Sequence, residues 1–240
     1  MDASAGTVQF SLSASGLDLS GAKIVWETRD ADPAMGQTFT FTPKINDTQW
    51  VEAEATLPDG RRVFAATTFA ATTPTVTWVD DAAPAGSEAG ADGGDPWAWN
   101  WISGNPTTQS GQYAFQSAIV SGEHQYLFQN ATATISIPTG ATLYAYVYID
   151  PANPPGELML QWNDGASWEH RAYWGANNLT YGTDGTVSRH NVGALPAAGQ
   201  WVKLAIPASA VGLEGKTLTG MAFTLYGGRA TWDNAGMSTQ

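Results

Sequence analysis

Two stretches near the middle of the chain concentrate side chains that could bind or transform a polyol. The first is LMLQWNDG, residues 158–165, and the second is WEHRAYWG, residues 168–175. The second stretch combines indole, carboxylate, imidazole, guanidinium and phenol groups. Indole rings pack against the C–H faces of sugars, while amide, carboxylate and guanidinium groups pair with hydroxyls. These residue types therefore indicate carbohydrate binding.

The dipeptide Asp164-Gly165 between the two stretches predicts that they pair as a β-hairpin, because Asp-Gly supplies the positive φ angles of tight hairpin turns. Side chains alternate between the two faces of a strand, and either face of this hairpin could meet solvent. Alternatively, Glu169 and Arg171 form a structural ion pair and His170 is a core residue. The predicted carbohydrate-binding residues are Gln161, Trp162, Asn163, Glu169, His170, Arg171, Tyr173 and Trp174.

Tryptophan is abundant in the second part of the chain, where nine of the 11 tryptophans follow Pro74. A core of this size seldom needs so many indoles, so we expect some of them to be partly exposed. Trp97, Trp99 and Trp101 would share one face of a strand. Their small and polar neighbours favour a position for these three inside a sandwich.

The same residues are a poor match to catalysis. An enzyme acting on a polysaccharide needs an acid and a base that converge on the bound sugar. Glu169 and His170 are adjacent in a strand and therefore point to opposite faces. The chain contains no Gly-x-Ser-x-Gly elbow and no phosphate-binding loop. A non-catalytic function is predicted, and a polysaccharide-active lyase or hydrolase is the less favoured alternative.

Composition excludes several other classes of function. The net charge of −12 argues against binding to nucleic acid or to anionic membranes, whose phosphates would repel it. The absence of cysteine excludes disulfides, zinc–thiolate sites and cysteine nucleophiles. No run of 18 apolar residues occurs, so membrane insertion is not expected.

The elements that carry these residues are short strands. Apolar residues recur mostly at period two and are interrupted by Gly, Pro, Asn and Asp, which indicates an all-β fold. The only helical candidates are short, such as 208–213. The small, polar segment 70–74 resembles an interdomain linker. We therefore predict two domains, residues 1–72 and residues 73–240.

The first domain has the pattern of a small Ig-like or PKD-like β-sandwich. Its clearest feature is the stretch WVEAEATLPDGRRVFA, residues 50–65, in which Asp59-Gly60 closes a hairpin. Glu52 and Glu54 would face Arg61 and Arg62 across this hairpin and fix its register. Nothing in the domain suggests catalysis or metal binding, so it is interpreted as a spacer.

From about Val76 to Met237 the chain resembles β-jelly-roll modules of the galactose-binding-like, carbohydrate-binding type. The segments TWVDDAAPAG, LMLQWNDG, WEHRAYWG, GMAFTLYGG and ATWDNAG carry the resemblance. Such modules are appended, often beside Ig-like domains, to secreted bacterial proteins. The resemblance implies a structural Ca²⁺ ion near the first and last strands, which oxygen ligands would hold. The residues predicted to contribute are Asp80, Asp81, Asp92, Asp95 and Asp233.

The sequence thus predicts a small Ig-like β-sandwich followed by a larger β-jelly roll. The jelly roll is predicted to bind a polysaccharide or oligosaccharide without catalysis. The chain is expected to be a monomer and part of a larger multidomain secreted protein, outside the cell or on its surface. The alternative from another class is an extracellular adhesion or scaffold module that binds protein.

Overall fold

The computed structural model describes residues 7–44, 47–71, 75–92 and 99–239. The predicted all-β fold is confirmed: nearly every regular element is a strand. The helical candidate near residue 210 is a 3₁₀ turn, Ala208–Val211, which ends at Gly212 with φ +69°. No helix in these ranges has the length and apolar character needed to cross a membrane. The chain divides into two compact units, residues 1–74 and residues 75–239.

The first unit contains a four-stranded sheet in the order β3-β2-β5-β6 and a two-stranded sheet, β1-β4. Alternation along β2 buries Ile24 and Trp26, and the Trp26 indole N–H donates to the Gly36 carbonyl over 2.8 Å. The hairpin predicted around Asp59-Gly60 is present. Its strands pair Glu54 with Phe64. The strands are β1 Val8–Ser11, β2 Lys23–Thr28, β3 Ala31–Met35, β4 Thr38–Phe41, β5 Asp47–Thr56 and β6 Arg62–Ala71.

The second unit has two six-stranded sheets and a short two-stranded ladder, β12-β18. Its first seven strands are β7 Thr75–Val79, β8 Glu88–Asp92, β9 Asn100–Ile102, β10 Ala114–Gln116, β11 Val120–Gln129, β12 Ile135–Ser136 and β13 Ala141–Ile149. The remaining strands are β14 Glu157–Asn163, β15 His170–Gly175, β16 His190–Gly193, β17 Trp201–Pro207, β18 Thr217–Leu218, β19 Gly220–Gly228 and β20 Ala230–Thr239.

Each of the two large sheets takes its name from one of its inner strands. The β14 sheet has the order β16-β15-β14-β19-β11-β8. The β13 sheet has the order β17-β13-β20-β10-β9, and β7 pairs with β20 beside them. The first and last strands of the unit, β7 and β20, are therefore neighbours.

The core of the second unit lies between the inner faces of these sheets. Along β13 the residues Leu143, Ala145, Val147 and Ile149 are buried in it, so the tyrosines between them belong to the outer face. Along β19 the inner residues are Met221, Phe223 and Leu225. The outer face of each sheet carries the intervening residues, and these decide what a ligand can meet.

Strand β3 contains Pro33 but lies at the edge of its sheet, where a missing backbone N–H is tolerated. The predicted strand at 168–174 begins two residues later, at His170. Asp164 accepts the N–H groups of Ala166 and Ser167, which holds the preceding residues in a turn.

Candidate functional site

The predicted hairpin forms: β14 pairs antiparallel with β15, and Gln161 lies opposite Arg171. Of the two faces that could meet solvent, the one with Trp162 and Trp174 does not, whereas Trp168, in the segment between the strands, is partly exposed as expected for some of the indoles. Trp162 is 2% exposed and Trp174 6% exposed, and both belong to the core. They share their face with Leu158 and Leu160, and that apolar face packs inward. Trp99 and Trp101 also pack at the core, as the interior interpretation predicted, while Trp97 lies outside the described residues.

His170 is on the same inner face and is nearly buried. Its Nδ1 lies 2.7 Å from the carbonyl of Val211, and its Nε2 lies 3.6 Å from Asp164 Oδ2. The imidazole therefore ties the hairpin to the 3₁₀ turn. This is the structural role that the sequence left open as an alternative.

Other predicted residues meet on the outer face of the β14 sheet. Arg171 Nε donates to Gln161 Oε1 over 2.6 Å, and Arg171 Nη2 donates to Glu169 Oε1 over 3.1 Å. Arg171 Nη1 donates to the carbonyl of Ser188 over 3.1 Å. The Arg171 hydrogen bond lowers the pKa of Glu169. Gln161 and Arg171 are buried, whereas Glu169 is exposed at one end of the set.

The network continues across the sheet through residues that the sequence analysis did not select. Gln161 Nε2 donates to Gln125 Oε1 and to Thr224 Oγ1, each over 2.8 Å. Gln125 Nε2 donates to the Tyr181 hydroxyl over 3.3 Å, and that hydroxyl donates to Glu123 Oε1 over 2.5 Å. The outer-face network is defined by these seven residues: Glu123, Gln125, Gln161, Glu169, Arg171, Tyr181 and Thr224.

A signal for three of the missed residues exists in the sequence. Strand β11 alternates so that His124, Tyr126 and Phe128 are on the core side, which leaves Glu123 and Gln125 on the outer face. Alternation along β19, whose inner residues are Met221, Phe223 and Leu225, likewise leaves Thr224 on the outer face. No local pattern marks Tyr181, because it comes from a loop.

The loop of residues 176–189 covers the part of this face next to β15. Leu179 packs on Met159 and Tyr173, and the Tyr173 hydroxyl donates to Asp184 Oδ1 over 2.9 Å. The carboxylate of Glu157, fully buried, accepts the N–H groups of Asn178 and Leu179. Burial raises the pKa of Glu157, and the two N–H bonds oppose this shift. Tyr173 is therefore covered by the loop rather than presented to solvent.

The groups that remain accessible surround the buried network. Tyr181, Glu123 and Leu127 are partly exposed, and the Arg171 guanidinium carbon lies 5.7 Å from the centre of the Tyr181 ring. Asn163, also half-buried, has its side-chain oxygen on the Gly165 N–H at 2.7 Å and so holds the hairpin turn. The outer face thus presents the Tyr181 ring and the carboxylates of Glu123 and Glu169 to solvent. The other members of the network lie buried beside them.

Two of the five aspartates predicted to bind calcium lie close together where β7 ends beside β20. Asp233 is 5% exposed and accepts the N–H groups of Gln109, Ser110 and Asn234. Burial raises the pKa of Asp233, the N–H bonds oppose this shift, and the charge of Asp80 adds to it. One oxygen of Asp80, Oδ1, is buried without a hydrogen-bond partner among the described residues. An unpartnered carboxylate oxygen beside a second carboxylate fits a bound cation.

Of the other three predicted aspartates, only Asp81 has a side chain within the described residues. Asp81 has φ +58°, and its Oδ1 accepts the N–H groups of Gln112 and Tyr113. The side chain of Asp92 and all of Asp95 lie outside the described residues. Within the described ranges, no group of three or more His, Cys, Asp or Glu side chains is close enough to hold a metal ion.

No family model matches the chain, and no curated protein matches it either. Among solved structures it is similar to a promiscuous carbohydrate-binding module of the β-sandwich superfamily, with TM-score 0.41 and 13% identity over 90% of this chain and 84% of that one. A tandem of two such modules from Paenibacillus barcinonensis Xyn10C gives TM-score 0.36 and 11% identity, over 99% and 75%. The K3 adhesin domain of Lys-gingipain from Porphyromonas gingivalis gives TM-score 0.37 and 17% identity, over 65% and 93%.

Proposed function

We propose that the second unit is a non-catalytic carbohydrate-binding module whose site is the outer face of the β14 sheet. The outer-face network carries this proposal. Three residues predicted from sequence, Gln161, Glu169 and Arg171, belong to it. Trp162, His170 and Trp174 support the sheet from its inner face and do not contact the saccharide.

The network suits a weak, oriented contact with a polyol. Its buried members satisfy one another, so they hold the surface groups in fixed positions at little further cost in entropy. A sugar ring packs on the accessible part of Tyr181, and its hydroxyls donate to the carboxylates of Glu123 and Glu169. One aromatic contact contributes about 1 kcal/mol, so the dissociation constant lies on the order of micromolar to millimolar.

The test is a titration of the full chain with oligosaccharides of β-glucan, xylan, mannan and chitin, followed by NMR or calorimetry. Tyr181→Ala should weaken binding about fivefold or more, as expected for the loss of about 1 kcal/mol. Tyr113→Ala is the matched control, because Tyr113 is an exposed tyrosine in the loop before β10. It should leave binding unchanged. Equal losses of affinity in the two variants, or no binding to any of the glycans, would contradict the proposal.

The same experiments separate the alternatives. Release of reducing ends or of unsaturated sugars from any glycan would indicate a polysaccharide-active enzyme. If the chain binds none of the glycans but binds a defined protein ligand, an adhesion module is indicated. The first unit is proposed to be an Ig-like spacer, within a larger multidomain protein that acts outside the cell or on its surface. A monomeric state is proposed, and sedimentation equilibrium tests it.

A structural Ca²⁺ ion is proposed at Asp80 and Asp233. The observation that supports it is the buried, unpartnered Oδ1 of Asp80 next to a second carboxylate. Calcium binds six to eight oxygens, so backbone carbonyls and water would have to complete its coordination. Such an ion would neutralise the two carboxylates and fasten the end of β7 to β20.

A further inference from the structure

The outer face of the β13 sheet carries a second set of aromatic side chains, remote from the outer-face network. Along β13, Tyr146 and Tyr148 alternate with the core residues Val147 and Ile149. Across the ladder, Tyr148 lies opposite Trp201 and Tyr146 lies opposite Lys203. These four residues, Tyr146, Tyr148, Trp201 and Lys203, are called the tyrosine face below.

The aromatic members of the tyrosine face are accessible and fixed. Tyr146, Tyr148 and Trp201 are each partly exposed. The Tyr148 and Trp201 rings pack edge to face with 5.9 Å between their centres. The Trp201 indole N–H donates to the carbonyl of Thr107 over 2.8 Å, which fixes the ring against the loop that precedes β10. The hydroxyls of Tyr146 and Tyr148 have no hydrogen-bond partner among the described residues, so a ligand can reach them.

Lys203 gives this face a positive charge. The second unit has five lysine and arginine side chains, and four of them pair with a carboxylate. Lys203 has no such partner among the described residues. Its ammonium lies 4.3 Å from the centre of the Tyr144 ring and 5.9 Å from that of Tyr146. It is therefore held over the aromatic row while remaining exposed.

The carboxylate that lies opposite Tyr146 on this face does not cancel that charge. Asp233 is buried and its carboxylate oxygens bond with three backbone N–H groups, so they are engaged there and form no ion pair with Lys203. In a chain of net charge −12, an exposed lysine beside three aromatic rings is an unusual combination. An anionic ligand complements the ammonium, and the rings require a ligand that also has apolar faces.

We propose that the tyrosine face is a second binding site, for an acidic oligosaccharide built of uronic acid units. Successive sugar rings pack on Tyr146 and Tyr148, whose positions along the strand are about 7 Å apart. A uronate carboxylate pairs with Lys203, and ring hydroxyls bond with the two tyrosine hydroxyls. This site is independent of the one on the β14 sheet, so either can fail without the other.

The test uses the full chain with sodium tetragalacturonate or tetramannuronate, and with neutral cellotetraose for comparison. NMR signals of the Trp201 indole and of β13 report binding. A uronate tetramer should move these signals, and Lys203→Met should weaken its binding about tenfold, the loss of one charge-assisted contact. Lys203 is exposed, so the variant should fold. Tyr148→Ala should weaken binding of the uronate tetramer more than Lys203→Met does. Tyr181→Ala, on the other sheet, should leave uronate binding unchanged.

Four outcomes would overturn the proposal. The first is the absence of any shift at Trp201 with either uronate at 10 mM, roughly the weakest affinity that such contacts would give. The second is unchanged uronate affinity in Lys203→Met. The third is loss of uronate binding in Tyr181→Ala, which would place the acidic glycan on the β14 sheet instead. If cellotetraose binds the tyrosine face as tightly as the uronates do, the requirement for a negative charge is also refuted.

Discussion

Gln161 accepts a hydrogen bond from Arg171 on the neighbouring strand, and its own amide group donates to Gln125 and Thr224 on two further strands. One buried side chain thus joins four strands of the β14 sheet, β15, β14, β19 and β11. Such a network stabilises the sheet only while every buried polar group in it has a hydrogen-bond partner. An unpaired buried polar group costs more free energy than a hydrogen bond contributes.

Replacing Gln161 should therefore destabilise the protein strongly. Gln161→Leu leaves Arg171 Nε without its acceptor and Thr224 Oγ1 without the Gln161 donor, while Gln125 Oε1 keeps only the hydrogen bond from Thr224. We expect a loss of about 3 kcal/mol in the free energy of unfolding. Urea denaturation measures it. In the double variant with Arg171→Met the loss should be smaller than the sum of the two single losses. Additive losses would mean that the two side chains are not coupled.

The indoles of the hairpin should behave as core residues. Trp174→Ala should lower the free energy of unfolding by about 3–5 kcal/mol, because it removes a large ring from the packed interior. Tyr181→Ala, at a partly exposed position, should cost much less. Thermal or urea unfolding of both variants tests this. A stable Trp174→Ala variant that folds normally yet loses glycan binding would show that Trp174 belongs to the binding site after all.

Glu157 holds the covering loop by accepting hydrogen bonds rather than by its charge. Glu157→Gln retains an acceptor for Asn178 and Leu179, whereas Glu157→Leu leaves both N–H groups unpaired and should cost about 2 kcal/mol. Because burial raises the folded-state pKa of Glu157 above its ordinary value of 4.5, its stability cost sets in as pH rises above the ordinary value and is complete above the raised one. Glu157→Gln should therefore stabilise the protein at pH 7, and this gain should vanish near pH 4. A loss at pH 7 like that of Glu157→Leu would show that the charge itself stabilises, through Arg189.

Asp164 should stabilise the fold at neutral pH. Burial raises its pKa, but the hydrogen bonds from Lys216 and from the N–H groups of Ala166 and Ser167 outweigh burial and bring it to about 2. Because the folded-state pKa is depressed, the contribution is present above pH 4 and is lost as pH falls toward 2. Lys216 is half exposed, so screening reduces the contribution to about 1 kcal/mol. Asp164→Asn should be less stable than the parent at pH 7 and equal to it at pH 2, measured by urea denaturation.

Calcium should stabilise the second unit if Asp80 and Asp233 hold it. The melting temperature should rise in calcium chloride relative to EDTA, because a ligand that binds only the folded state stabilises it. Asp80→Asn should remove this response. Glu88→Gln, at an exposed carboxylate on β8, is the control and should retain it. A melting temperature that is the same in calcium and in chelator would contradict the proposed ion.

Much of the strand layout is readable from the sequence. Alternation and the turn residues predict the hairpin of β14 and β15, and Gly165 has the positive φ, +86°, that the turn requires. Alternation also separates Gln161, Arg171 and Tyr173 from Trp162 and Trp174. Tyr144, Tyr146 and Tyr148 follow the same rule, so the tyrosine row of β13 was within reach of the same reasoning.

The sequence does not indicate which face of the hairpin meets solvent. Both faces of β14 and β15 are buried, one by the opposite sheet and the other by the 176–189 loop and the side chains of β19 and β11. The loop is held by Glu157, whose partner atoms lie some twenty residues further along the chain. No local pattern encodes such a cover.

The amino-acid sequence alone determined the all-β character, the positions of most strands and which side chains share a face, because these depend on alternation and turn chemistry within a few residues. The tertiary structure alone decided that the hairpin indoles are core, that Gln161 and Arg171 meet Gln125, Thr224 and Tyr181, and that Lys203 lies over a row of aromatic rings. Those relationships join strands far apart in the chain, and only the packing of two sheets brings them within bonding distance.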